Sequence, residues 1–152
     1  MALVIRPRTD DDLGALLDIL RESHETDGYP LMAEHVTIDW LTEKGDPAWV
    51  ATLDDTVVGH SALSGPRGGE LELARLFVSG AARGRGVADA LIDAAERHAA
   101  TTRSTLVLEV LDHNTAAIHL YERRGWLLTS SEPVTWFGAD GPTPIARRYA
   151  KP

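Results

Sequence analysis

Leu76-Phe77-Val78-Ser79-Gly80-Ala81-Ala82-Arg83-Gly84-Arg85-Gly86-Val87-Ala88 decides how this chain is read. An apolar strand runs into a glycine-rich, arginine-bearing turn, and a long amphipathic helix starts at once. The first amides of a helix have no intrahelical partner and sit at a positive dipole end, so such a turn cradles a pyrophosphate. Gly84 and Gly86 allow close backbone approach, while Arg83 and Arg85 add charge.

Upstream of this stretch, Leu3-Val4-Ile5-Arg6-Pro7 reads as a first strand. Thr9 and Asp10–Asp12 supply a cap and an acidic first turn. Leu13, Leu16, Leu17 and Leu20 follow at the spacing of an amphipathic helix, which Gly28-Tyr29-Pro30 breaks. Val36 to Lys44 predicts a second short helix, and Gly45-Asp46-Pro47 a turn. Ala48 to Leu53 and Thr56 to Leu63 form a hairpin about Asp54-Asp55. A loop from Ser64 to Gly69 leads into the strand Glu70 to Val78.

Downstream, a helix runs from about Arg85 to about Thr101, and Thr105 to Leu111 is a strand. Asn114 to Arg124 is a helix that ends at Gly125. Two last strands, Trp126 to Ser130 and a stretch ending near Tyr149, flank a loop at Gly138–Pro142. Residues 70 to 111 form a right-handed parallel β-α-β unit. The expected fold is a mixed α/β domain over residues 1–152. Its central sheet has about seven mostly antiparallel strands, with helices on both faces.

The chain of 152 residues is 43% hydrophobic and 25% charged, which suits one globular domain. No apolar run spans a bilayer, and the N-terminus is too short in apolar residues for a signal peptide. The absence of cysteine excludes disulfides, thiolate catalysis and Cys-ligated zinc, and a cytoplasmic location is the default expectation. A net charge of -8 disfavours nucleic acid and attracts a cationic substrate such as an amine; the plain alternative is that it serves solubility. No His/Asp/Glu spacing resembles a metal site.

A second motif narrows the reading: Asn114-Thr115-Ala116-Ala117-Ile118-His119-Leu120-Tyr121-Glu122-Arg123-Arg124-Gly125-Trp126. The order of elements, this Asn/Ala/Tyr/Gly-aromatic run and Arg83-Gly84-Arg85-Gly86-Val87-Ala88 together resemble the GNAT superfamily of N-acetyltransferases, from Leu3 to about Tyr149. One departure is Gly80, where the family often has proline, which would loosen the turn. A dinucleotide-binding reading of the turn is the alternative. It needs a third glycine where Asp89 stands, although Glu109 lies at a tempting distance downstream.

The resemblance implies acetyl-CoA as cosubstrate and direct acetyl transfer to a primary amine in a ternary complex. The pyrophosphate would be held by Arg83, Gly84, Arg85, Gly86, Val87 and Ala88. The Phe77 and Val78 backbone would hold the pantetheine arm, with an oxyanion-binding N–H around Val78, and Asn114 would fix the cofactor near that arm. Tyr121 matches the family's proton donor to the leaving thiolate, and a phenol near pKa 10 is close to a thiol. Without the motif, Tyr121 would read as a packed helix aromatic.

Glu109, inside an apolar strand, is the first candidate for the base. The run Leu108-Glu109-Val110 with Asn114 and Tyr121 is similar to the bacterial ribosomal-protein alanine N-acetyltransferases, whose base falls there. Glu72 is the second candidate, and an exposed strand end is its plain reading. His60 could shuttle a proton or bind substrate, or could simply be packed in its strand. His113 could line the cleft, and His24 could merely end the first helix.

The acceptor site is expected between Ser23 and Trp40. Tyr29, Met32, His35 and Trp40 would form an aromatic wall, with Glu25, Asp27 and Glu34 attracting a cation; a packed helical flap is the plain alternative. Trp136 and Phe137 would border the acceptor or a dimer contact. The acceptor could be a small amine, a protein N-terminus or a lysine, with the small amine favoured. A non-catalytic acyl-CoA sensor on the same fold is the rival reading. The resemblance also implies a homodimer through the C-terminal strands.

Overall fold

The computed structural model describes residues 2–45, 47–135 and 142–152. The expectations for Trp136, Phe137 and most of the Gly138–Pro142 loop lie outside the described residues. The elements are β1 (Leu3–Pro7), α1 (Leu13–Asp27), α2 (Ile38–Thr42), β2 (Ala48–Leu53), β3 (Thr56–Arg67) and β4 (Glu70–Val78). They continue with α3 (Val87–Thr101), β5 (Thr105–Leu111), α4 (Thr115–Arg123), β6 (Leu127–Pro133) and β7 (Ile145–Lys151).

Seven strands form one sheet in the order β1-β2-β3-β4-β5-β7-β6. Only β4 and β5 run parallel, joined by the α3 crossover. α1 packs Leu16, Ile19 and Leu20 on one face with Val50 and Phe77. α3 and α4 cover the other face, burying Ile92, Ala95, Ile118 and Tyr121 against Leu71, Leu73, Leu106 and Leu108. The start of α1 is pinned by Asp12, which accepts two hydrogen bonds of 2.8 Å from Arg6. The Arg6 guanidinium, helped by the Thr9 N–H, lowers the Asp12 carboxyl to about 2 despite its burial.

Several boundaries differ from the sequence reading. β3 continues through Gly65-Pro66 to Arg67 instead of ending at Leu63. A register shift between Ser64 and Arg67 absorbs the proline, which has no N–H for the ladder. The second helix shrinks to Ile38–Thr42, because the Thr37 side chain caps it by accepting from the Trp40 N–H. The third helix begins at Val87, since Gly86 is its N-cap in the left-handed region at φ 75.

Two features of β4 shape the centre of the molecule. Its pairing with β5 covers Glu70 to Leu73 and goes no further, so the strands part beyond Leu73 and Leu108. The edge of Ala74–Val78 that faces β5 therefore has no strand partner among the described residues. Against β3, Ala74 pairs with Ala62 and Phe77 with His60, so β4 carries one extra residue. Arg75 sits in that bulge at φ 55. The bulge inverts the alternation: Leu71 and Leu73 face α3 and α4, whereas Phe77 faces α1.

Candidate active site

A cavity of about 1260 Å³ occupies the gap between the parted ends of β4 and β5. It runs from the turn before α3, past α4, to the Gly28–Lys44 segment. Of the residues singled out in the sequence, Phe77, Val78, Arg83, Ala88, Glu109, Glu72, Asn114, Tyr121, Tyr29 and Trp40 line it. Gly84, Arg85, Gly86 and Val87 lie in the adjoining turn. Val87 itself is buried in the core, so only its backbone can serve a ligand there.

Gly84 and Gly86 both lie at φ 75, and a Cβ on either would meet nothing within 4 Å. Their lack of a side chain thus serves backbone conformation and clear space, not packing. No side chain caps α3, and its first backbone bond beyond the cap runs from the Ala90 N–H to the Gly86 carbonyl. The amides of Val87, Ala88 and Asp89 have no intrahelical partner, the feature that suits a helix start to an anion. Asp89, standing where a dinucleotide motif needs glycine, instead pairs with Arg124 at 2.9 Å. Arg124 also bonds Asp93 at 2.5 Å and Glu96 at 3.1 Å, and Glu96 accepts from the Trp126 indole at 3.3 Å. This network fastens α4 to α3 and so fixes Tyr121.

Tyr121 is 6% exposed, with its ring against Trp126 and Tyr149. Its hydroxyl has no hydrogen-bond partner among the described residues. Burial, chiefly, pushes its phenol above the ordinary value of 10, further from a thiol than the sequence reading supposed. Asn114 caps α4, its Oδ1 accepting from the Ala117 N–H at 3.3 Å.

The two candidate bases differ. Glu109 is exposed to the cavity and has no hydrogen-bond or ion-pair partner among the described residues. Glu72 accepts from Lys44 at 3.2 Å and is half-buried.

The Gly28–Lys44 side of the cavity is walled by aromatics. Tyr29 meets Trp40 edge-on at 6.0 Å, and His35 stacks on Trp40 at 5.3 Å. Burial pushes the Tyr29 phenol up to about 12. Met32, Glu25 and Glu34 do not line the cavity, and Asp27 is ion-paired to Arg83. His113 lines the cavity and meets the Gly28 carbonyl at 3.3 Å, while His24 meets the Pro30 carbonyl at 2.6 Å.

His60 is a correction. It is fully buried and does not line the cavity. Its Nδ1 donates to the Arg75 carbonyl at 2.8 Å, which leaves Nε2 to accept from Arg8 at 3.0 Å. Burial lowers it to about 4, so the ring is neutral. It supports the bulge from below.

Arg75 is the residue that the sequence reading missed. Its guanidinium lies 3.6 Å over the Trp40 ring, Nε donates to the Trp40 carbonyl at 3.0 Å, and Nη2 donates to Glu43 at 3.0 Å. One arginine thus holds α2 against β4. No local pattern marks it, because both the bulge and its partners are set by distant chain.

A glycine turn at a helix start that opens onto a gap between two parallel strands suits a long phosphorylated thioester laid across a sheet. The residues present fit acetyl-CoA on that ground, and the class so defined is the CoA-dependent acyltransferases. The profile of the Acetyltransferase (GNAT) family matches residues 13–126, and the chain belongs to that family. It is an acetyl-CoA-dependent N-acetyltransferase, which sets aside the sensor reading.

A Salmonella typhimurium protein described as a peptidyl-lysine N-acetyltransferase is 29% identical over 149 residues, covering 93% of this chain and 95% of that one. The fold also matches the ribosomal-protein-S18-alanine N-acetyltransferase of Escherichia coli, with TM-score 0.78 and 20% identity over 98% of this chain and 92% of that one. A Salmonella typhimurium protein solved with acetyl-CoA matches with TM-score 0.74 and 17% identity, over 99% of this chain and 94% of that one.

Proposed function

We propose that the acceptor is a small primary amine and that Glu109 takes its proton. The observation that carries this reading is the unpartnered Glu109 carboxylate in the gap between β4 and β5. A carboxylate without an ion-pair contact among the described residues is available both to attract an ammonium group and to accept its proton. Glu72 is the second carboxylate, its charge offset by Lys44.

Acetyl-CoA, when bound, supplies the acyl group as a thioester. The turn from Arg83 to Ala88 holds its pyrophosphate, and Phe77, Val78 and Asn114 hold the pantetheine arm. An N–H near Val78, on the strand edge without a partner, meets the carbonyl oxygen as charge develops. Tyr121 keeps its proton at Oη for the departing sulfur. With its phenol raised by burial, it acts as a hydrogen-bond donor that releases the proton only against developing thiolate charge. The chain has no cysteine to form an acyl-enzyme, so transfer is direct.

The Tyr29–His35–Trp40 wall favours a small acceptor. A protein lysine is the second reading, favoured by the relative that is 29% identical along nearly all of both chains. Cytoplasmic location and a homodimer belong to the same proposal. Edge strand β6, with Leu127 60% and Leu128 50% exposed, is the surface for the latter.

Thiol release from acetyl-CoA, measured against small amines and against lysine-bearing peptides, tests the acceptor. Turnover of peptides alone would replace the first reading with the second. Glu109→Gln should lower kcat/KM about 30-fold. Unchanged kinetics would remove Glu109 from the mechanism.

A further inference from the structure

The last turn of α1 lies against the phosphate-binding turn. The Gly80 N–H donates to Glu22 Oε1 at 3.2 Å, and Arg83 Nη2 donates to Asp27 Oδ2. The two carboxylates grip both ends of the short helical turn Gly80–Ala82. This accounts for the absence of proline at a position where the resemblance leads one to expect it, since proline has no N–H to donate to Glu22. The turn is fastened by α1, not loosened.

Asp27 is also the last residue of α1. Gly28 follows as its left-handed cap at φ 69, with its carbonyl against His113, and Tyr29 comes next in the acceptor wall. Three consecutive residues therefore touch the phosphate turn, the β5–α4 junction and the acceptor side.

We propose that Asp27 is a positioning residue that links cosubstrate binding to the acceptor wall: it holds Arg83 in the free enzyme and yields it to the cosubstrate's phosphate. The inference rests on the reading of Arg83–Ala88 as the phosphate site. The Arg83 side chain is 56% exposed and that of Asp27 31%, and a pair so open to water is weakly held. A multiply charged phosphate ligand competes for the guanidinium and lies within a Debye length of the Asp27 charge. Asp27 therefore lowers cosubstrate affinity, and its release frees the α1 end that leads to Tyr29.

Calorimetric titration with CoA of the wild type, Arg83→Gln, Asp27→Asn and the double variant tests this, with hydrogen exchange over residues 24–31. Arg83→Gln should weaken CoA about tenfold. Asp27→Asn should tighten it about threefold at low salt, and that gain should vanish in the Arg83→Gln background. CoA should speed exchange at residues 27–31 in the wild type and not in Asp27→Asn. Asp27→Ser serves the same test if the asparagine variant folds poorly. Equal or weaker CoA binding by Asp27→Asn, or the same gain without Arg83, overturns the link. Unchanged CoA affinity in Arg83→Gln overturns the phosphate reading itself, and the link with it.

Discussion

In the proposed arrangement, the cosubstrate meets backbone amides after Gly86 and along the edge of β4 that has no strand partner among the described residues. The proposed acceptor would meet side chains, Tyr29, Trp40, Arg75 and Glu109, which line the cavity from four separate segments. A backbone site needs glycines at a few adjacent positions and little else. A side-chain site needs distant elements to be held in register, here by the contacts of Arg75 with α2 and of His60 with the bulge. The first half should therefore fail through local conformation, and the second through its supports.

Tyr121 stands where the halves meet, and its loss separates chemistry from binding most sharply. Tyr121→Phe removes a hydroxyl without a partner among the described residues, so packing against Trp126 and Tyr149 is kept. We expect kcat to fall about 100- to 1000-fold with CoA affinity changed less than about twofold. A parallel loss of CoA binding would place Tyr121 in the cosubstrate half alone.

The foundation of the acceptor half is expected to be acid-sensitive. His60 is held at about 4 by burial, below its ordinary 6.5. Between these values the unfolded chain takes up a proton that the folded chain refuses. The stability His60 contributes is complete above about pH 6.5 and is lost as pH falls toward 4, by about 3 kcal/mol. Asp12, lowered to about 2 from 3.8, acts below that window. Urea unfolding at pH 7, 5.5 and 4 should show the loss in the wild type and a much shallower slope in His60→Gln. An equal slope in both would mean that the ring is not buried neutral.

A single methyl group probes the cosubstrate half. Gly86→Ala places a Cβ in the open space above the turn and in a backbone region that costs about 1 kcal/mol for an L residue. CoA affinity should drop about tenfold while the KM for the amine stays within about twofold. A larger change in the amine KM would show that the two halves are not separable at this turn.

The difference in materials also explains what could be read in advance. The sheet, the crossover and the Arg83–Ala88 turn are local patterns, set by glycine placement and by apolar spacing within one stretch. Asn114 and Tyr121 could be singled out because they lie on one short stretch, the cap and the body of α4. The placing of His60 against the acceptor failed because alternation shows which strand residues share a face but not how deep they lie. Arg75 was invisible: the bulge that inverts β4 arises from its register with β3, and its partners stand up to 35 residues away. Gly80 was visible only as a departure, and Glu22 on α1 supplies its reason.

The smallest expected effect bears on how the acceptor half is strained. Arg75 is a non-glycine residue at φ 55 in the bulge set by the register of β4 on β3, with its side chain on Trp40 and Glu43. Removing the side chain abolishes the clamp in either of two ways, and the two differ only in backbone cost. In Arg75→Ala the left-handed conformation still opposes a Cβ, while in Arg75→Gly it does not. Glycine, more flexible when unfolded, would ordinarily be the less stable choice by up to about 1 kcal/mol. At this bulge we expect the order to reverse, with Arg75→Gly more stable than Arg75→Ala by about 1 kcal/mol in urea unfolding, both lying below the wild type. Both variants should raise the KM for the amine alike, since both release α2. If alanine proved the more stable, the bulge would be relaxing once the clamp is gone, and Arg75 would be creating the strained turn rather than tolerating it.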